Sequence, residues 1–107
     1  MEELVEELLD LEGVKSVRRF NNSVLRVELY SRSIPGSELF EISGDLRKIS
    51  QKIRSCLEQA RQNRVFSSWE WVVKPEKKYQ KTSLGRKKVK DRKGIGYKKD
   101  YYEISVS

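Results

Sequence analysis

The chain has 107 residues, of which 36% are apolar and 36% are charged, and its formal net charge is +7. This length fits one domain with a thin hydrophobic core. Histidine is absent and Cys56 is the only cysteine, which excludes the commonest general base, an internal disulfide and CxxC-type metal motifs. We therefore expect a binding protein rather than an enzyme, with no cofactor and no metal. A metal-dependent nuclease using scattered carboxylates is the enzymatic alternative, although no spacing of acids nominates a site.

The sequence shows no segment that would direct the chain to a membrane or out of the cell. No apolar run approaches the roughly 18 residues of a membrane span, and the N-terminal sequence MEELVEELLDLE is acidic where a secretory signal is basic. A lone cysteine favours a reducing compartment. We expect an intracellular, cytoplasmic protein that does not associate with membranes.

The first third of the chain predicts a helix followed by a β-hairpin. Residues 2–11 repeat leucine and valine at helical spacing, and Gly13 ends the helix because glycine suits the backbone just beyond a helix terminus. Residues 14–20 and 23–30 are predicted as two strands, joined by a turn at the two asparagines 21–22. Apolar and polar residues alternate in the second strand, which is typical of a sheet with one buried face.

The rest of the chain predicts a loop, a second helix and two further strands. The loop covers residues 31–36, which end in Pro-Gly. A helix follows from an N-cap at Ser43 to about Asn63, because its apolar residues recur every three or four positions. Residues 65–73 and 97–106 are predicted as the third and fourth strands.

The element order α-β-β-α-β-β indicates the α+β class. Two helices on one face of a four-stranded antiparallel or mixed sheet would form a two-layer sandwich. If the last strand folds back beside the third, it fills a central position, and the sheet becomes a permuted ferredoxin-like sheet. The expected organisation is a single domain over residues 1–107, within which residues 74–99 form a basic arm.

Charge is distributed unevenly along the chain. Residues 1–12 carry six acids and no base, whereas residues 74–99 carry twelve bases and two acids. A connection as long as residues 74–99 is unusual in a small domain, and we interpret it as an extended β-hairpin arm or a mobile basic loop. Lysine and arginine bind phosphates and release condensed counterions. The alternative is a solvated loop that keeps the protein soluble, but such loops usually mix both signs of charge.

The arm therefore predicts a nucleic-acid-binding protein, for DNA or RNA, that grips the phosphate backbone with little sequence specificity. Glycines 85, 94 and 96 would let the backbone approach a phosphate, and tyrosines 79 and 97 would stack on bases. The basic face of the second helix would extend the binding surface. Arg18, Arg19 and Arg26 would carry it across the sheet. The predicted contacts are Lys77, Lys78, Lys81, Arg86, Lys87, Lys88, Lys90, Arg92, Lys93, Lys98 and Lys99, with Tyr79 and Tyr97, and Arg47 and Lys48 on the second helix.

Other readings of the charge remain open. The arm could dock on an acidic protein partner, which would make the chain an interaction adaptor or inhibitor. The acidic first helix could be an ordinary packed helix, a cover for basic surface, or the contact of a homodimer.

The aromatic residues divide into two predicted groups. Trp69 and Trp71 share one strand face with Val65 and Val73, which favours a core role, with base stacking as the alternative. Tyr30, Tyr97 and Tyr101 are the candidates for an exposed aromatic face, because their strand neighbours are polar. Cys56 is expected to be a small buried hydrophobe rather than a reactive thiol.

Overall fold

The computed structural model describes residues 1–79 and 95–107. Within these ranges the chain forms two helices and two four-stranded antiparallel sheets, so the predicted α+β class is confirmed. The elements are α1 (Glu2–Leu9), β1 (Val14–Arg19), β2 (Val24–Leu29), β3 (Ser31–Ser33), β4 (Phe40–Ile42), α2 (Leu46–Gln62), β5 (Trp69–Val73), β6 (Lys77–Tyr79), β7 (Ile95–Tyr97) and β8 (Tyr101–Val106).

The main sheet has the strand order β1-β2-β8-β5. The predicted hairpin of β1 and β2 is present, and β8 pairs with β2 on one side and with β5 on the other. Alternate residues of β2 and β8 are buried, as their period-two pattern predicts. These buried residues are Leu25, Val27, Leu29, Tyr102, Ile104 and Val106.

Both helices place their apolar residues in the same core as this inner sheet face. Leu4 and Leu8 of α1 are buried, as are Ile49, Ile53 and Leu57 of α2. The two helices also contact each other. The helical periodicity of the sequence therefore identified the buried stripe of α2 correctly.

The start of α2 differs from the prediction. Asp45, rather than Ser43, is the N-cap, and its Oδ1 accepts a hydrogen bond from the Arg47 backbone N–H at 3.0 Å. Asp45 has the extended backbone of a capping residue, and a carboxylate there also complements the positive end of the helix dipole. Gly44, with φ of 99°, turns the chain into the cap.

A second sheet, of strand order β3-β4-β7-β6, was not predicted. The expected loop at residues 31–36 is a strand at its start, because β3 follows β2 after the single residue Tyr30 and pairs with β4. The expected single strand at residues 97–106 is divided into β7 and β8. The break lies at Asp100, whose carbonyl accepts the Leu29 N–H and whose carboxylate accepts the Ser31 hydroxyl at 2.5 Å.

The predicted third strand also starts later than expected, at Trp69 instead of residue 65. Arg64 adopts a left-handed backbone with φ of 62°, and the Val65 N–H donates to the Ala60 carbonyl at 2.9 Å, so these residues finish the helix instead of starting the strand. The register then shifts between Trp71 and Val73. Because of this shift Val73 opposes Glu103. Val65 is exposed and lies before the strand. The prediction that Val65 and Val73 share one strand face with the two tryptophans is therefore wrong.

Candidate nucleic-acid interface

The predicted basic arm begins as the paired strands β6 and β7, which form one edge of the second sheet. Strands β5 and β8 of the main sheet pair with each other, and β6 and β7, which lie next to them in the chain, also pair. Lys77 opposes Tyr97, Lys78 opposes Gly96, and the Lys98 N–H donates to the Glu76 carbonyl at 2.9 Å. We call residues 74–79 and 95–99 the arm base. Its antiparallel ladder agrees with the β-hairpin interpretation for this part of the arm.

The lysines of the arm base are largely unneutralised. Lys74, Lys77 and Lys98 are exposed, and none of them makes an ion pair with an acid in residues 1–79 and 95–107. Lys78 lies 3.5 Å from Glu76, but both side chains are at least half exposed, at 50% and 63%. An ion pair this exposed contributes about 0–1 kcal/mol, so the Lys78 ammonium remains available to an anion.

Two residues of the arm base do not have the predicted role. A Cβ on Gly96 would lie 2.6 Å from Cβ of Leu39 and 2.9 Å from Cδ1 of Ile34. Glycine is therefore needed at position 96 because the protein packs on itself there, and not to admit a phosphate. Tyr97 is half-buried and packs against the core, so its ring is not an open stacking surface.

The main sheet has a second face, turned away from the helices. In β2 and β8 the residues that alternate with the buried ones point to this side, and Arg26 opposes Glu103 while Glu28 opposes Tyr101. Arg18 of β1 opposes Arg26, and Phe20 follows directly after β1. We call these six residues the outer face.

Arg26 is held between two aromatic rings at the centre of the outer face. Its Cζ lies 4.7 Å from the centroid of the Phe20 ring and 4.2 Å from that of Tyr101. The Lys99 ammonium lies 5.7 Å from the same Tyr101 ring. Cations this close to aromatic faces are attracted by the ring quadrupole. The outer face is thus joined to the arm base through Lys99.

The carboxylates of the outer face are paired with its arginines. Arg18 Nε lies 3.1 Å from Glu28 Oε1, and Arg26 Nη2 lies 3.7 Å from Glu103 Oε2. Arg18 and Arg26 are therefore on the sheet as predicted, but their charges are partly balanced locally. Arg19 is exposed and donates to the Asn22 side chain at 3.2 Å.

The two predicted residues of α2 lie elsewhere. Arg47 and Lys48 are exposed in the first turn of α2, on the helix side of the main sheet. Lys48 lines a cleft of about 600 Å³ together with Tyr30 and Lys52. The ring of Tyr30 is exposed as predicted, at 52%, but it belongs to this cleft and not to the outer face.

The tryptophans belong to the core side, which confirms the favoured prediction for them. Trp69 and Trp71 form an edge-to-face pair with centroids 5.2 Å apart, and Trp71 lies 4.9 Å from the ring of Tyr102. Trp69 Nε1 donates to Glu58 at 3.2 Å. The pKa of Glu58 is below its ordinary value, chiefly because the Arg61 guanidinium donates a hydrogen bond to it.

Cys56 is half-buried beside the core. Burial, with a smaller contribution from the charge of Glu7, raises the pKa of its thiol. A raised pKa keeps the sulfur protonated and lowers its nucleophilicity. Partial burial and a raised pKa both favour the packing role that the sequence predicts for Cys56.

A cluster of metal ligands or a membrane-spanning helix would indicate a different function. Residues 1–79 and 95–107 contain no group of three or more metal-ligating side chains. None of the helices in these ranges is both long and apolar enough to cross a bilayer.

One further predicted contact, Tyr79, lies within the described ranges. Tyr79 contributes backbone to β6. The predicted glycines 85 and 94 lie outside the described ranges, as do seven predicted contacts, namely Lys81, Arg86, Lys87, Lys88, Lys90, Arg92 and Lys93. The residue that the sequence reasoning missed is Phe20, which was placed in a strand but given no role. Its signal was present, because alternation puts positions 18 and 20 on the polar side of the hairpin.

Comparison with known proteins gives no matching family model, no matching curated protein and no matching solved structure.

Proposed function

We propose that the protein binds nucleic acid, DNA or RNA, by gripping the phosphate backbone with the Lys/Arg-rich arm of residues 74–99, and that it does so without catalysis. The single observation that carries the proposal is the state of the lysines in the arm base. Three of its five lysines are exposed and make no ion pair within the described ranges, and Lys78 is paired only weakly. The fifth, Lys99, lies beside the Tyr101 ring. An arm whose cations were neutralised by the protein's own acids would have no charge to offer to phosphates.

The charge of the whole chain supports the same proposal. The arm carries twelve of the 23 bases, while six of the 16 acids are confined to residues 1–12. Such a separation favours electrostatic steering of a polyanion to one end of the protein. Lysine-rich contacts with phosphates position the strand without reading its sequence, so the expected sequence specificity is low.

A salt titration tests the proposal directly. Binding of labelled single- and double-stranded DNA and RNA is measured at several salt concentrations. If about six phosphates are engaged, the slope of log affinity against log salt should be roughly −4 for a single strand and −5 for a duplex. Substitution of Lys87, Lys88 and Lys90 by glutamate should abolish binding with the thermal midpoint unchanged. A slope near zero would exclude the electrostatic mechanism.

Nuclease treatment of the same preparation distinguishes a nucleic-acid partner from a protein partner. A complex that the arm forms with an acidic protein survives nuclease treatment, whereas one bridged by nucleic acid does not. Recovery of a nuclease-resistant partner, together with no affinity for any of the four nucleic acids, would favour the adaptor or inhibitor function instead.

We also propose that the main sheet and the two helices form a two-layer, permuted ferredoxin-like arrangement. In support, β8 lies between β2 and β5, and the helices share one core. Met1 and Ser107 line the same cavity of about 700 Å³, so a short linker between them is feasible. A circular permutant that joins these termini and opens the chain within residues 80–94 should keep its helical content and cooperative unfolding. Loss of both would contradict this arrangement.

A further inference from the structure

We propose that the bound nucleic acid is single-stranded, and that an unpaired base stacks on the Phe20 ring of the outer face. This inference rests on the proposed function and adds the class of nucleic acid to it. Its starting point is that Phe20 remains 51% exposed although Arg26 already covers part of its ring. The exposed part of the Phe20 ring is therefore an apolar surface that a ligand can reach.

The ring is held in place before any ligand arrives. Phe20 and Tyr101 flank the Arg26 guanidinium at 4.7 and 4.2 Å, and the Phe20 N–H donates to the Val24 carbonyl at 3.0 Å across the hairpin turn. Because the rings are already ordered, stacking costs little conformational entropy. Every base offers a π-face, so a platform of this kind is tolerant of sequence.

The guanidinium of Arg26 has few polar partners within the described ranges. Its Nε is buried and has no hydrogen-bond partner in the described ranges, and its closest carboxylate oxygen, on Glu103, is 3.7 Å away. Contacts with the two rings therefore hold this side chain more than hydrogen bonds do. A nucleotide could offer Arg26 both a π-face and an oxygen acceptor, and few hydrogen bonds would be lost in exchange.

The outer face is continuous with the phosphate-binding arm base. Lys99 contacts the Tyr101 ring, and Lys98 directly precedes Lys99 in the chain. A strand whose phosphates contact Lys98 and Lys99 would therefore bring its bases to the outer face. The acids beside this path, Glu28 and Glu103, are each paired with an arginine. In a duplex the bases are paired and stacked on one another, so only a single strand can present a base to Phe20.

The test compares one oligonucleotide as a single strand and as a duplex, with the wild-type chain and the variant Phe20→Ala. We expect Phe20→Ala to weaken single-strand binding about tenfold, which is within the range for loss of one stacked base. Duplex affinity and the slope of affinity against salt should stay at wild-type values. A 2-aminopurine base in the single strand should be quenched by the wild-type protein and less so by Phe20→Ala.

The matched control is Tyr30→Ala, which removes an aromatic ring of nearly equal exposure, 52% against 51%, from the cleft beside α2. It should leave single-strand affinity unchanged. Phe20→Leu keeps apolar volume without a π-system and should also lose affinity, which guards against a folding defect in Phe20→Ala. Phe20→Trp should restore binding.

The two proposals fail in different ways. Equal affinity for single strand and duplex, with no effect of Phe20→Ala or Phe20→Leu, would overturn the stacking inference and leave the phosphate grip intact. Equal losses for Phe20→Ala and Tyr30→Ala would also overturn it. No binding of either form at low salt would reject the proposed function itself.

Discussion

Neutralising the unpaired lysines of the arm base should reduce affinity by an amount that follows from their number. Lys77 and Lys98 are exposed and make no ion pair within the described ranges. Each phosphate contact with a single strand contributes about 0.7 to the slope of log affinity against log salt. The double variant Lys77→Gln/Lys98→Gln should therefore have a slope smaller by about 1.4. At a salt concentration of about 0.1 M this corresponds to roughly 25-fold weaker binding.

Fluorescence anisotropy of a labelled single strand, measured from low to high salt, gives both the affinity and its dependence on salt. The matched control is Lys15→Gln, because Lys15 is an exposed lysine of β1 that lies outside the arm base. This control variant should lose less affinity than either Lys77→Gln or Lys98→Gln alone. All three side chains are exposed, so thermal midpoints should not change. A wild-type slope in the double variant would refute the reasoning, because these lysines would then contact no phosphate.

The remaining predictions concern the folded domain. Gly13→Ala should destabilise it by about 2–4 kcal/mol, because φ is +95° and the new Cβ would lie 2.7 Å from Ile49 Cδ1. The control Gly36→Ala, with φ of +76° and no atom within 4 Å, should cost only about 1–2 kcal/mol. Equal losses of stability in thermal denaturation would contradict the clash with Ile49. Asp45→Ala should cost about 1 kcal/mol in the same assay through loss of the N-cap of α2, whereas an unchanged midpoint would mean that the cap does not stabilise the helix. Cys56 should react with an alkylating reagent more slowly in the folded than in the unfolded chain at pH 8, because its raised pKa leaves less thiolate at any given pH; equal rates would show that burial does not protect it.

The sequence predicted much of the candidate interface, but not its geometry. The density of lysine and arginine in residues 74–99 identified the arm without knowledge of the fold. Alternation in β2 and β8 separated the residues of the outer face from the core. The contact of Arg26 with Tyr101 was not foreseeable, because it joins β2 and β8, which are far apart in the chain.

The sequence by itself determined which residues are buried in α2, β2 and β8, since burial there follows the local periods of 3.6 and 2. It also determined the charge of the arm, which depends on composition alone. Only the tertiary structure decided that β8 lies between β2 and β5 and that β4 lies between β3 and β7. The same is true of Gly96, which is needed because Leu39 and Ile34 pack over it. Such contacts join residues far apart in the chain, and local periodicity carries no information about which distant segments pair.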